Sequence, residues 1–425
     1  MIESPAQAID ELPYLTSGAP PVRAAIKRRY EDFVVKEIPA YEPCGSGDHC
    51  FFTIEKTGLA TMRAVHDIAQ RLGRPTRDFG LAGLKDARGV TIQTLSLEHI
   101  DPKLIEQLDI PRIRVLSVSR HGNKLKVGHL RGNRFYVKLR EIDLARISEV
   151  REVCDVLVTR GVPNYFGRQR FGTRGDSWQI GRAILEGDYK TAMDIMLGRP
   201  GSLDTGKVLA ARQLYETGDY IAAAKTWPWG SRDNTRACRA LAKTKGNHRR
   251  AYYAIDNRLK KLFVNAFQSY LFNRVLAERI DKIDQVRIGD LAYKHDSGGV
   301  FLVGDEAAEA PRAAAFEISP TGPIFGYKMT RAEGETGRLE QSILDDEKLA
   351  PDSFRAIKNM KLHGARRPLR FRPEELQVDS GHDEHGDRIE LRFSLPSGCY
   401  ATMILREVCK EDLEEGLAED DEHAV

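Results

Sequence analysis

The segment Gly80-Leu81-Ala82-Gly83-Leu84-Lys85-Asp86-Ala87-Arg88-Gly89 sets one carboxylate among three glycines and two cations. Glycine permits tight turns and lets a partner approach the backbone closely. Between Lys85 and Arg88, Asp86 sits in a positive potential that favours the carboxylate form a nucleophile requires. The local residues leave two readings open, an exposed nucleophile and an ordinary turn aspartate. Lys27 lies far upstream and matters to this chemistry only if it pairs with Asp86. A second stretch, Val162-Pro163-Asn164-Tyr165-Phe166-Gly167-Arg168-Gln169-Arg170-Phe171-Gly172, joins three aromatics, two amides and two arginines. Aromatic faces stack bases, an amide reads a base edge and guanidiniums take phosphates, as single-nucleotide recognition requires. Tyr165 and Phe171 are equally suited to plugging a core.

The elements that must position these groups follow from periodicity. Val90-Thr91-Ile92-Gln93-Thr94 is rich in β-branched residues and predicts a strand directly after the Asp86 turn. Tyr30–Ile38 and Cys50–Ile54 predict strands before it. Thr61–Leu72 predicts a helix with Val65, Ile68, Ala69 and Leu72 on one face and Gly73 at its end. Arg112–Ser119 and Leu125–Leu139 extend a strand-rich half, and Ile142–Arg160 predicts a helix. Arg120–Arg140 holds seven Lys or Arg and no acid, a run of like charges that needs a neutralising partner. From Asp176 the pattern becomes helical, culminating in Phe263–Arg279. Arg232–Lys261 carries ten Lys or Arg against two acids, which suits an RNA backbone or a solvated helix face. Ala356–Arg372 is basic again around Gly364-Ala365-Arg366-Arg367. Ile389, Leu391, Phe393 and Leu395 alternate with polar residues in the clearest strand of the chain. Gly201–Val208 departs from a phosphate loop at Val208, where a hydroxyl would be needed, and no strand precedes it.

Length and composition set the outer limits. The 425 residues have room for two or three domains, and no apolar run approaches the roughly 20 residues that span a bilayer. No signal peptide is readable, and the six cysteines form no CxxC pair, so a reduced, cytoplasmic protein is expected. His49 has no second pair at metal-ligand spacing; His382 and His385 suit a solvated loop better than a metal, and a metal-dependent RNA-modifying or hydrolytic enzyme using these histidines is the alternative of a different class. The 65 Lys and Arg against 62 Asp and Glu give +3, but eight of those acids lie in Glu411–Val425, so the rest carries +11. That body favours a polyanionic partner, and the acidic end predicts a disordered tail over 411–425.

Four ordered motif groups resemble the TruD family of tRNA pseudouridine synthases. They are Ile26-Lys27 with Glu31-Asp32-Phe33-Val34-Val35, and Gly83-Leu84-Lys85-Asp86 with Val90-Thr91 and Gln93. Asn164-Tyr165-Phe166-Gly167 with Gln169-Arg170-Phe171-Gly172 comes third. Last is Gly364-Ala365-Arg366-Arg367, followed by Leu395-Pro396 and Gly398-Cys399-Tyr400-Ala401-Thr402-Met403 through Leu405-Arg406-Glu407. The resemblance spans about Ile26 to Lys410. It implies an α+β fold, with a catalytic domain built on a large antiparallel sheet from residues 1–175 and 360–410. A mainly helical TRUD domain would be inserted at 176–359, with RNA in a cleft between the two. It further implies isomerisation of uridine to pseudouridine, typically at tRNA position 13, by a monomer without metal or cofactor. Asp86 would be the nucleophile, attacking C1′ or C6, and Lys27 its salt-bridge partner. Phe33, Asn164, Phe166 and Tyr400 would contact the flipped nucleotide. Lys85, Arg88, Arg168, Arg170, Arg366 and Arg367 are the expected RNA-contacting cations. A Tyr at 400, in place of the Phe of some bacterial members, is the main departure at the site. Action on other structured RNA stays open, and a non-catalytic RNA-binding protein or RNA chaperone on the same fold is the alternative.

Overall fold

The computed structural model describes residues 11–355, 360–411 and 413–416. The chain divides into two compact units. One is Tyr14–Val162 with the residues from Phe371 onward; the other is Pro163–Arg370 with the described residues up to Pro13. Boundaries at 175 and 360 were expected. The Asn164 stretch instead joins the helical unit, because its backbone is tied there: Asn164 N donates to Leu369 O at 2.8 Å, and the Asn273 amide bonds both main-chain groups of Phe166.

The first unit is organised on a mixed sheet. Its strands include β1 (Ala24–Ile26), β2 (Phe33–Pro39), β3 (His49–Thr57), β4 (Gly80–Leu81), β5 (Val90–Glu98), β6 (Ile113–His121) and β7 (Leu130–Leu139). Across the large sheet the order is Glu374–Asp383, Gly386–Pro396, β7, β2, β5, β3, β6, with β4 paired to the far end of β5. Within this sheet only β2 and β5 run parallel, because β5 inserts between β2 and β3; the other pairings are antiparallel, the arrangement the family resemblance implied. The alternation of Ile389, Leu391 and Phe393 becomes register: they lie opposite Leu139, Val137 and Phe135, and the Phe135 and Phe393 rings stack at 5.4 Å. β7 starts at Leu130 rather than Leu125, since a turn closes there, with His129 N donating to Lys126 O.

Helix Thr61–Leu72 covers the β3/β5 face. Its Ala64, Val65, Ile68 and Ala69 pack with Phe52, Ile54, Leu95 and Leu97 in one buried cluster, each large aliphatic contributing about 1.5–3 kcal/mol by burial. Gly73 ends the helix at φ 63, a conformation glycine adopts without strain. β1 pairs antiparallel with Arg140 on one side and parallel with Leu413–Glu415 on the other. A disordered end was expected from Glu411 onward; within the described residues, Leu413–Glu415 instead completes the ladder of a fully buried strand, whose edge groups need partners. The remainder of that tail, 417–425, lies outside the described residues.

The second unit is mainly helical around Asn257–Glu278, whose Phe263, Val264, Phe267, Leu271 and Phe272 are buried. Helix Ser177–Glu186 packs against it at Gly181, where a Cβ would lie 2.1 Å from Phe263 O. Trp178 stacks on Tyr270 at 4.0 Å. An antiparallel sheet of Val300–Leu302, Leu291–Lys294, Ile318–Ile324 and Ala365–Pro368 completes the unit.

Candidate active site

Lys27 follows β1 in a left-handed conformation, φ 56, which costs a non-glycine residue about 1–2 kcal/mol. The turn drives its side chain inward, to 5% exposure, where Nζ lies 3.1 Å from Asp86 Oδ2 and 2.6 Å from Glu415 Oε1. The same ammonium sits 4.5 Å above the Phe33 ring. Asp86 Oδ1 accepts from the Ala87 N–H at 2.8 Å. The carboxylate is therefore held on one side and 51% exposed on the other, the requirement for a fixed nucleophile that substrate can reach. Phe33 is 4% exposed and offers its face to Lys27 rather than to solvent.

The two cations flanking Asp86 divide. Arg88 is exposed. Lys85 is buried, with Nζ 2.9 Å from Glu37 Oε2 and 2.8 Å from Asn133 Oδ1. Its expected RNA contact is thereby corrected: the ammonium is used inside the unit, anchoring the loop to β2 and β7. Gly89 closes the loop where a Cβ would sit 2.4 Å from Phe33 O. Tyr400 is half-buried at the head of helix Ala401–Cys409 in the same unit.

The remaining expected residues belong to the helical unit and form a cluster of their own. Asn164 is 2% exposed; its Nδ2 donates to Pro368 O at 2.8 Å and its Oδ1 accepts from Arg367 Nη2. The Arg367 guanidinium lies over the Phe166 ring at 4.4 Å, Arg170 approaches the same ring at 5.4 Å, and Phe272 meets it edge-on. Both ends of the Asn164 amide are thus engaged in orienting Arg367 and the chain beside it. Arg168 is exposed. Arg366 is corrected like Lys85: its guanidinium is 3% exposed and forks onto Glu340 at 2.6 Å while donating to Thr321. Tyr165 and Phe171 are core residues.

Within the basic run of Arg120–Arg140, three of the seven cations are paired with carboxylates of the protein. Arg140 bonds Asp32 and Asp383, Lys138 bonds Asp383, and Arg134 bonds Glu375. The two Arg140 contacts and Lys138 hold the Asp383 carboxyl below the usual carboxylate range. His382 bonds Asp387 beside the hairpin turn, and among the described residues no group of three or more His, Cys, Asp or Glu is arranged to hold a metal ion. Glu415 and Glu37 carry parts of these sites without being singled out by sequence, and Asn273 does so from a segment that matches the family only weakly. Glu415 lies in an acidic run whose composition pointed to solvent, and Glu37 looks like an unremarkable strand residue.

The fold that carries this braced, half-exposed aspartate is shared with proteins described as tRNA pseudouridine synthases. The family profile for tRNA pseudouridine synthase D (TruD) matches residues 10–408. A protein of Geobacter sulfurreducens named tRNA pseudouridine synthase D is 46% identical over 93% of this chain and 96% of its own. One of the same name from Geotalea daltonii is 45% identical over 94% and 99%. A crystal structure from Methanosarcina mazei, provisionally assigned to TruD, superposes with a TM-score of 0.84 at 26% identity, covering 96% of this chain and 98% of that one. The chain belongs to the TruD family.

Proposed function

We propose that the protein isomerises uridine to pseudouridine in tRNA, at position 13, with Asp86 as nucleophile and Lys27 as the cation that orients it. The observation that carries this reading is the Lys27–Asp86 pair, in which one carboxylate face is held and the other is open. In the reaction the N1–C1′ bond is exchanged for a C5–C1′ bond, C5 loses a proton and N1 gains one. The change is redox-neutral, so the protein's task is to hold a carboxylate, a detached base and a ribose in place. Extruding the target base costs a few kcal/mol of stacking. Tyr400, half-buried in the same unit as Asp86, is the aromatic assigned to offset that cost, and Arg367 and Arg170 beside the buried Phe166 supply positive charge for tRNA.

The reading is tested by incubating purified protein with unmodified tRNA and mapping pseudouridine at nucleotide resolution. Wild type is expected to place it at position 13, and Asp86→Asn to form none while binding the same tRNA. Equal product from both proteins would remove Asp86 from the mechanism, and product at another uridine would remove position 13. The binding-only alternative is weakened by the strained, paired Lys27, since a carboxylate facing solvent opposes binding to a phosphate backbone unless it has chemistry to do.

A further inference from the structure

The Asp86 loop is gripped from behind by one short segment that none of the motifs above singled out. Lys56 occupies the inward phase of β3, in step with Cys50, Phe52 and Ile54, and is 0% exposed. A lysine in that phase needs partners for its ammonium, and it finds two carbonyls, Leu59 O at 2.5 Å and Asp86 O at 3.1 Å. Five residues on, the buried Thr61 hydroxyl accepts the Lys85 N–H at 2.8 Å and donates to Gln93 Oε1 at 2.8 Å. Between them Gly58 N donates to Gly89 O at 3.1 Å. The connection from β3 to helix Thr61–Leu72 thus holds the N–H entering the Lys85–Asp86 dipeptide, the C=O leaving it, and the glycine that ends the loop.

We infer that Lys56 and Thr61 are positioning residues, which set the direction of the Asp86 carboxylate by clamping the backbone on both sides of it. The inference rests on the reading of Asp86 as nucleophile. Because the side chain leaves a backbone pinned at either end, its direction is fixed without any group touching the carboxylate's open face. Displacements near 1 Å at a reacting group cost on the order of 10²-fold in rate, so losing either clamp should appear in kcat rather than in tRNA affinity.

The ammonium makes the clamp pH-dependent. Burial lowers the Lys56 pKa to about 8, against the Asp86 charge, which raises it, with Lys85 lowering it further. The strand neighbours across from it, Thr91 and Ile113, carry no charge. The charged clamp is present below pH 8 and lost above it. Stability moves the other way: the unfolded chain, at the usual 10.5, binds more protons between the two values, so this lysine's contribution to stability grows as pH rises there.

The test compares wild type, Lys56→Met, Thr61→Val, Thr61→Ser and Asp86→Asn in single-turnover conversion of unmodified tRNA and in tRNA binding, with conversion and Tm followed from pH 7 to 9.5. Lys56→Met and Thr61→Val are expected to lose at least tenfold in kcat with Kd within twofold of wild type, and Thr61→Ser to recover most of the rate. Wild-type kcat is expected to fall through pH 8 while its Tm gains relative to Lys56→Met. Should Lys56→Met not fold, the Thr61 pair and the wild-type pH profile decide. A Thr61→Val rate equal to wild type, or an alkaline fall unchanged in a folded Lys56→Met, would overturn the inference with Asp86 still essential. Activity in Asp86→Asn would instead overturn the reading beneath it.

Discussion

Lys27 joins two carboxylates at one ammonium, so the two partners make opposite predictions. Lys27→Met leaves Asp86 without its orienting cation and Glu415 beside it, and kcat should drop on the order of 10²-fold in a pseudouridine-formation assay. Glu415 is 44% exposed, and on the proposed function its charge would repel an incoming tRNA phosphate. Glu415→Gln should therefore tighten tRNA binding about two- to fivefold at low salt, the scale of an exposed ion pair, with the gain fading as salt rises in a filter-binding titration. The flanking cations also separate. Removing one partner of a buried pair costs about 3–5 kcal/mol, so Lys85→Met should show that loss in urea unfolding. Arg88→Ala should leave stability within about 0.5 kcal/mol and reduce the salt slope of tRNA binding by about one. Equal stability of the two variants would undo this division of roles. Sequence marked both residues as cations beside Asp86; which of them turns inward depended on Glu37 and Asn133, 48 residues apart from Lys85 at each end of that span, and no local pattern encodes it.

At the scale of elements, the periodic segments were legible and their partners were not. The strand at Ile389–Leu395 and the helix at Thr61–Leu72 were readable because a buried face repeats every 2 or 3.6 residues. Leu413–Glu415 was not, since three residues of an acidic run form a strand only when a buried β1 offers an open ladder. Glycine contacts are similar: Gly89 was noted as a turn residue, while the reason for it is the Phe33 carbonyl 2.4 Å from where a Cβ would be. Gly89→Ala should push β2 from the Asp86 loop, at a cost of about 1–3 kcal/mol for overpacking. Thermal unfolding would measure it, and an unchanged Tm would show that the loop yields instead.

For the molecule as a whole, charge was legible as a total and misleading as a map. Within the basic run through β7, Arg134, Lys138 and Arg140 are paired with Glu375, Asp383 and Asp32, brought to them from distant parts of the chain. The run at Arg232–Lys261 behaves differently: Arg232, Arg236, Arg239, Lys243, Arg249 and Arg250 are exposed, beside Trp229 at 86% exposure. Replacing Arg236 and Arg239 together by Ala should lower the salt slope of tRNA binding by about two, whereas the double change Arg134→Ala, Lys138→Ala should leave that slope nearly unaltered. Sequence by itself determined the α+β class, the periodic elements, the family motifs and the candidacy of Asp86, because residue type and local spacing are sufficient for these. Only the tertiary structure decided which cations face solvent, that the Lys27 pairing implied by the family motifs is made at 3.1 Å, and that Lys56 and Thr61 hold the Asp86 backbone. Those outcomes turn on pairings between segments far apart in the chain, where burial makes a charge find a partner that its neighbours in sequence do not name.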